Sequence, residues 1–139
     1  DQTLARVRAI AAAQPKVRIF ESVWDDSLRA GGAILAQQTN LAMDQCKGEW
    51  GLYLQADEVL HEEDYPAIRE AFARAKDRPE VDGLLFDYVH FYGDFFVVNL
   101  NPSAYRREVR AVRLRRGIES WKMRKGFAAR KMAIPISSR

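Results

Sequence analysis

Apolar residues recur along the chain at two spacings, one typical of helices and one typical of strands. Intervals of three and four residues predict helices at Thr3–Ala13 and Ala33–Cys46. A third helix is predicted after Asp64, which can cap its N-terminus while Pro66 is tolerated in its first turn. The predicted inner face of this third helix carries Ile68, Phe72 and Ala75.

Short apolar or alternating runs between these helices predict strands. They lie at Val17–Phe20, Trp50–Leu54, Leu84–Phe91, Tyr105–Leu114 and Lys131–Ile136, and Gly93–Pro102 is predicted as a loop. The run Trp50–Leu54 is continuously apolar, as in inner strands of parallel sheets. Because helices alternate with strands, the predicted fold is α/β, with a mainly parallel sheet in a three-layer sandwich.

Composition is ordinary for one globular domain of 139 residues, with 47% apolar and 29% charged residues. The net charge of +3 conceals a division, since residues 105–139 hold twelve basic and two acidic residues. We therefore treat 115–139 as a basic C-terminal segment that can bind polyanions or remain a solvated tail. The single cysteine, Cys46, excludes an internal disulfide and is expected in the core. No apolar run is long enough to span a bilayer and no leader pattern is visible, so we expect a cytoplasmic protein.

Two acids follow the apolar strand predicted at Trp50–Leu54. In open α/β sheets, ligands bind outside the carboxyl ends of strands, where Asp57 and Glu58 are expected. Carboxylate oxygens suit a hard divalent cation, Mn²⁺ or Mg²⁺, which could in turn hold a diphosphate. The glycine patterns of P-loop enzymes and of dinucleotide-binding folds are absent.

The order Asn40, Gly48, Trp50 and then Gln55-Ala56-Asp57-Glu58 resembles the family 2 glycosyltransferases, whose fold is named GT-A. Gln55 stands where the family pattern has its first Asp. The resemblance to a bacterial subgroup covers roughly residues 23–113, through the stretches VWDD…GG…LAQQTNLA, LYLQADEVLHEEDY, GLLFDYVHFYG and YRREVRAVR. It implies metal-assisted transfer of a sugar from a nucleotide diphosphate sugar to an acceptor hydroxyl, with inversion.

The resemblance implies that Asp57 binds the metal. Glu58 is a second ligand, an acid that supports the ligand Asp57 without touching the metal, or a salt-bridge partner. Gln55 is predicted to contact a phosphate or the ribose, or else to be an ordinary strand residue. Asn40 is predicted to hold the loop before the strand at Trp50, and we count it among the substrate-binding residues.

Further candidates follow the strand predicted at Leu84–Phe91. His90 is a substrate contact or a hydrogen-bonded core residue. Arg106 and Arg107 either bind a diphosphate or acidic acceptor, or form the wet face of an amphipathic strand. Glu108 and Asp94 are the preferred candidates for the catalytic base, and Glu119 is a third.

Two features of the resemblance favour a second hypothesis. Asp1-Gln2-Thr3 resembles a segment that family members reach only after their first nucleotide-binding strands, and the late His of the family has no counterpart. We therefore expect the chain alone to be catalytically silent, and a homodimer is possible through an open sheet edge. The alternative function is a non-catalytic module whose basic segment binds an acidic polymer or a membrane surface, with nucleic acid an unlikely partner.

Overall fold

A computed structural model describes residues 2–28, 30–101, 104–114 and 117–120, and the backbone of 133–136. In these residues the α-helices are α1 (Thr3–Ala13), α2 (Ala33–Asp44) and α3 (Tyr65–Lys76). Single 3-10 turns occupy Asp26–Leu28, Ala30–Gly32 and Glu62–Asp64. The strands are β1 (Trp50–Leu52), β2 (Gly83–Asp87), β3 (Phe91–Tyr92), β4 (Asp94–Val98), β5 (Arg107–Arg113) and β6 (Ala133–Ile136).

The main sheet has the strand order β1-β5-β2-β6. Strand β5 lies antiparallel to both β1 and β2, and β6 runs parallel to β2. The predicted fold, a GT-A-like three-layer sandwich with a mainly parallel sheet, is therefore wrong. The described residues form a small mixed α/β fold around three antiparallel strands, with one parallel strand added. The prediction failed because alternating helices and strands do not reveal a late strand inserted antiparallel between two earlier ones.

Strand β1 lies at an edge of the described sheet, although its apolar run predicted an inner strand. Leu52 and Leu54 are exposed by 42% and 45%. The strand ends at Leu52 rather than Leu54. A continuous apolar run is therefore compatible with an edge strand when only some of its side chains find a covering layer.

Two apolar clusters lie on opposite faces of β5. Ala111 belongs to a cluster formed with α3 and β2, whereas the adjacent Val112 packs with Leu114 against Met43 of α2. Successive side chains of a strand point to opposite faces, so one strand contributes to both clusters. The first cluster also contains Ile68, Ala71, Ala75, Val81, Leu84 and Phe86. Ile68 and Ala75 are buried as predicted for α3, and Phe72 packs against the same cluster.

Several local predictions differ from the structure. Val17–Phe20 forms no strand, and Asp64 makes no capping hydrogen bond through its side chain. The stretch predicted as a loop after Gly93 contains β4, which pairs with β3 in a small hairpin. The predicted strand Leu84–Phe91 is divided between β2 and β3. Cys46, expected in the core, is exposed, because α2 ends before it.

Most of the basic segment 115–139 lies outside the described residues, as do Asp1, Arg29, Pro102 and Ser103. Strand β6 falls within the predicted strand Lys131–Ile136. Across the described part of the chain, no helix combines the length and apolar character needed to cross a membrane.

Candidate functional site

The directions of the strands bring several predicted site residues to one end of the sheet, where β1 and β2 finish. Because β1 and β2 are both antiparallel to β5, they run in the same direction and end at the same side. Segment 53–58 follows β1, segment 88–90 follows β2, and segment 104–107 leads into β5. We call these three segments together the shared edge.

Glu58 lies at the centre of a buried polar cluster in the shared edge. Its Oε1 accepts a hydrogen bond from the Tyr88 hydroxyl at 2.8 Å and forms a close ion pair with Arg110. Its Oε2 accepts from the backbone N–H of Gln55 at 3.0 Å. The side chains of Arg110 and Glu58 are only 9% and 12% exposed. Of the roles predicted for Glu58, its contacts fit the salt-bridge partner, since both carboxylate oxygens are already engaged.

A β-bulge aims Arg110 at this cluster. The pairing of β5 with β2 passes from Ala111 to Val109 and skips Arg110, which therefore has no paired residue on β2. The carbonyl of Arg110 accepts a hydrogen bond from the N–H of Tyr53 at 2.7 Å. Its guanidinium lies 5.0 Å from the Tyr53 ring centroid and 5.1 Å from that of Tyr88, within the range of cation–π attraction.

Tyr88 connects Glu58 and Arg110 in the cluster. Its hydroxyl donates to Glu58 and accepts from the Nε–H of Arg110. Burial raises the pKa of Tyr88 well above its ordinary value of 10.0, and the hydrogen bond to Glu58 raises the pKa further, while Arg110 opposes the shift. Tyr88 is therefore a neutral donor at neutral pH, and the cluster ties the segment after β1 to the segment after β2.

Asp57 differs from its neighbour because its side chain is exposed on the turn that the cluster holds in place. Within the described residues, no hydrogen bond or ion pair engages its carboxylate. Burial raises the pKa of Tyr105; the carboxylates of Glu58, Glu108 and Asp57 also raise it, and Arg110 lowers it.

No group of three or more potential metal ligands occurs among the residues that the structure describes. One exposed carboxylate, Asp57, remains beside the engaged Glu58. Protein sites for Mg²⁺ commonly use only one or two carboxylates, with substrate phosphates and water completing the shell. The donor set therefore fits a cation that arrives with a diphosphate, and it does not fit a cation held by protein ligands alone.

Gln55 and Asn40 use their side chains for internal hydrogen bonds. Gln55 donates through Nε2 to the Tyr53 hydroxyl at 3.0 Å. Asn40 on α2 accepts from the N–H of Ser120 at 2.7 Å and donates to the carbonyl of Ser120 at 3.3 Å. Asn40 thus holds segment 117–120, which follows β5, rather than the loop before β1 as predicted.

His90 is half-buried between two tyrosine rings. Its ring stacks on Tyr88 with centroids 5.7 Å apart and meets Tyr105 edge-on at 4.7 Å. The Nε2 of His90 lies 2.6 Å from the carbonyl oxygen of Tyr105. Since a carbonyl only accepts, Nε2 carries the hydrogen of this bond. The second histidine, His61, lies apart from this group and is exposed at the turn before α3, where Nδ1 accepts from the N–H of Glu63 at 3.3 Å.

The two predicted arginines of the shared edge have different surroundings. Arg107 pairs with Asp87, with Nε and Oδ1 2.5 Å apart. Arg106 is exposed, and in the part of the chain that the structure describes it has no ion-pair partner.

The three candidate catalytic bases also have different surroundings. Glu108 is buried within β5. Asp94 is exposed at the hairpin turn, where its Oδ1 accepts from the N–H groups of Phe96 at 2.8 Å and Val97 at 3.1 Å. Glu119 is exposed in the segment that Asn40 holds. Asp94 is thus engaged in stabilising the hairpin.

Tyr88 and Arg110 were not predicted as site residues. A signal for Arg110 is visible in the sequence, because the run Val109–Leu114 places arginines among apolar residues. A charged residue in a buried strand requires a partner. The partner itself, more than fifty positions earlier, is not indicated by local spacing.

Comparison of the chain with protein-family models, with curated proteins and with solved structures finds no match in any of the three. The resemblance to the family 2 glycosyltransferases therefore stays a prediction from the sequence.

Proposed function

We propose that this chain acts in the transfer of a sugar from a nucleotide diphosphate sugar to an acceptor hydroxyl, with the shared edge as its site. One observation carries the proposal: Asp57 keeps an exposed carboxylate while Glu58, next to it, is locked into a buried cluster. The order Gln55-Ala56-Asp57-Glu58 and the motifs around it support the same activity.

In this proposal the residues of the shared edge divide the work. Asp57 is the protein ligand of Mn²⁺ or Mg²⁺, and Glu58 holds the turn through Arg110 and Tyr88. When bound, the cation neutralises charge on the leaving diphosphate. Outside the shared edge, Glu108 in β5 and Asp94 at the hairpin turn are the candidate groups for removing the acceptor proton, which requires a carboxylate within hydrogen-bond reach of that hydroxyl.

The proposal is tested by calorimetric titration of UDP and of GDP into the chain, with Mn²⁺ and again with excess EDTA. We expect binding that needs Mn²⁺ and that is lost in Asp57→Asn. The matched control is Asp77→Asn, which neutralises an exposed aspartate at the C-terminus of α3. Retention of Mn²⁺-dependent binding in Asp57→Asn, or its absence from the unaltered chain, contradicts the proposal.

The position of the cation has an independent readout. Traces of Mn²⁺ added to a ¹⁵N-labelled chain should broaden the amide signals of residues 55–58 first, because paramagnetic relaxation falls steeply with distance. The broadening should be weakened in Asp57→Asn. Broadening elsewhere, with residues 55–58 unaffected, places the cation outside the proposed site.

The alternative function, binding of an acidic polymer or membrane surface, rests mainly on residues outside the described ones. Within the described part, Arg110 and Arg113 are buried in ion pairs with Glu58 and Glu49 and are not available to a polyanion. A steep loss of heparin binding with rising salt, without any effect of EDTA, would favour the alternative.

A further inference from the structure

A cleft of about 740 Å³ opens beside the carboxyl end of β2. Its walls come from segments 87–90, 98–101 and 104–107, so it joins the shared edge to the base of the hairpin. Its volume is in the range of about 300–1,000 Å³ that is usual for small-molecule sites. Neither Asp57 nor Glu58 belongs to its lining, which includes Tyr88, the hydrogen-bond donor to Glu58.

The lining combines rings with hydrogen-bonding groups. Tyr88 and His90 present stacked rings, and Val98 and Leu100 add aliphatic surface. Asn99 and Asn101 contribute polar groups, and the ring of His90 has a second nitrogen, Nδ1, besides the Nε2 that bonds to Tyr105. A lining of apolar carbon with a few amide and imidazole groups suits a ring that carries both C–H and hydroxyl groups.

The charges on the cleft do not cancel. Asp87 would repel an anion, but its carboxylate is paired with Arg107. Arg106 is the remaining charge on the lining, and the described residues offer it no ion-pair partner. The backbone carbonyl of Arg106 accepts from the N–H of Tyr88 at 2.8 Å, which fixes its main chain beside the aromatic wall. One unpaired guanidinium matches one carboxylate, which it can bind through two parallel hydrogen bonds.

We propose that this cleft binds an acidic sugar, a hexose ring bearing a single carboxylate, with Arg106 on the carboxylate and His90 on a ring hydroxyl. The assignment rests on the proposed function in one respect, since it makes the acidic sugar the acceptor. Binding in the cleft itself needs neither Asp57 nor a metal, so the two ideas can fail separately.

The test compares two probes that differ only at C6, which is a carboxylate in methyl β-D-glucuronide and a hydroxymethyl group in methyl β-D-glucoside. Each is titrated into the ¹⁵N-labelled chain in the presence of EDTA, and amide shifts are followed at 87–90, 98–101 and 104–107. We expect the glucuronide to bind with about tenfold higher affinity than the glucoside, which is what one charge-assisted hydrogen bond commonly contributes. In Arg106→Gln this difference should disappear, whereas Arg106→Lys should retain part of it.

The matched control is Arg69→Gln, which removes an exposed arginine on α3, away from the cleft. This variant should keep the preference for the glucuronide, as should Asp57→Asn. Equal affinity for the two glycosides, no binding of either, or an unchanged preference in Arg106→Gln overturns the proposal. If Asp57→Asn loses UDP binding but keeps the preference for the glucuronide, the cleft assignment stands. If the unaltered chain binds UDP with Mn²⁺ but shows no preference between the glycosides, only the cleft assignment is rejected.

Discussion

The guanidinium group of Arg113, on β5, donates a hydrogen bond to the main-chain carbonyl of Ala75 in the last turn of α3. The same side chain donates to the carbonyls of Val81 at 2.8 Å and of Lys76 and Arg78 at 3.3 Å. The last carbonyls of a helix have no partner within the helix. A strand residue thus satisfies the end of α3 and the turn after it, and fastens the helix to the sheet.

Replacement of Arg113 by methionine should lower the free energy of unfolding by about 3 kcal/mol. The substitution keeps apolar bulk but leaves several buried carbonyls without donors, each at a cost of about 1–3 kcal/mol before relaxation. Urea denaturation of the variant and the unaltered chain measures the difference. As a control, Arg74→Gln breaks an exposed i,i+4 pair with Glu70 and should change stability by less than about 0.5 kcal/mol. Similar effects for both variants would show that Arg113 does not fasten α3.

Substitution of Glu58 should lower the free energy of unfolding much more than substitution of its neighbour Asp57. Glu58→Gln leaves the buried charge of Arg110 without its counter-ion, so we expect a loss of about 3 kcal/mol. Asp57→Asn alters an exposed turn and should change stability by less than about 0.5 kcal/mol. Denaturant midpoints of the two variants, compared at equal slope, give the answer. A large loss for Asp57→Asn would mean that its carboxylate has a structural partner, which would weaken its proposed role as a ligand.

The Tyr88 hydroxyl should make stability fall at alkaline pH. Its pKa is raised above the ordinary value of 10.0, chiefly by burial, so the folded state keeps the proton after the unfolded state has lost it. Stability from this group is therefore complete below about pH 10 and declines as pH rises towards the folded pKa. Unfolding free energies at about pH 9 and pH 11 should differ more for the unaltered chain than for Tyr88→Phe.

Tyr65→Phe is the control for that measurement, because Tyr65 is 48% exposed at the start of α3. Its pH dependence should follow that of the unaltered chain. If Tyr88→Phe also follows the unaltered chain, the buried hydroxyl does not contribute to the alkaline loss.

Asn40 should control the order of segment 117–120. Asn40→Ala removes both hydrogen bonds to Ser120 and should cost about 1–2 kcal/mol. Asn40→Asp keeps the acceptor for the Ser120 N–H and loses the donor, so a smaller cost is expected. Hydrogen exchange at Ser120 reports the effect directly, with fast exchange expected in Asn40→Ala and slower exchange in Asn40→Asp. Unchanged protection in Asn40→Ala would show that other contacts hold the segment.

Elements defined by local periodicity were predicted well. The bounds of α1 agree with the prediction, α3 begins directly after Asp64, and β5 and β6 lie within their predicted strands. These patterns depend on residues close together in sequence. The short stretch Val17–Phe20 shows the limit. Four alternating residues form a strand only when a neighbouring strand supplies hydrogen bonds, and none of the described strands pairs with this stretch.

Sheet order and the polar cluster could not be read in the same way. Which strand lies beside β1 depends on pairing with residues some sixty positions later, as in Trp50 with Arg113. The ion pair of Glu58 with Arg110 spans a similar separation, so local spacing left ligand and salt-bridge partner open for Glu58. Asp57 was predicted after the strand at Trp50 from local pattern alone. The strand ends at Leu52, before its apolar run does, and Asp57 lies on the turn that follows.

The central position of β5 has a consequence for how the chain folds. Every hydrogen-bonded pairing of the main sheet involves either β5 or β6, and the earlier strands β1 and β2 do not pair with each other. During synthesis, the chain up to Arg106 can therefore form helices and the β3–β4 hairpin, but no ladder of the main sheet. Formation of the sheet therefore waits for β5, which pairs with both β1 and β2, and contacts of such high sequence separation slow folding. Until then the edges of β1 and β2 are unpaired, which makes this interval the time of greatest exposure to aggregation.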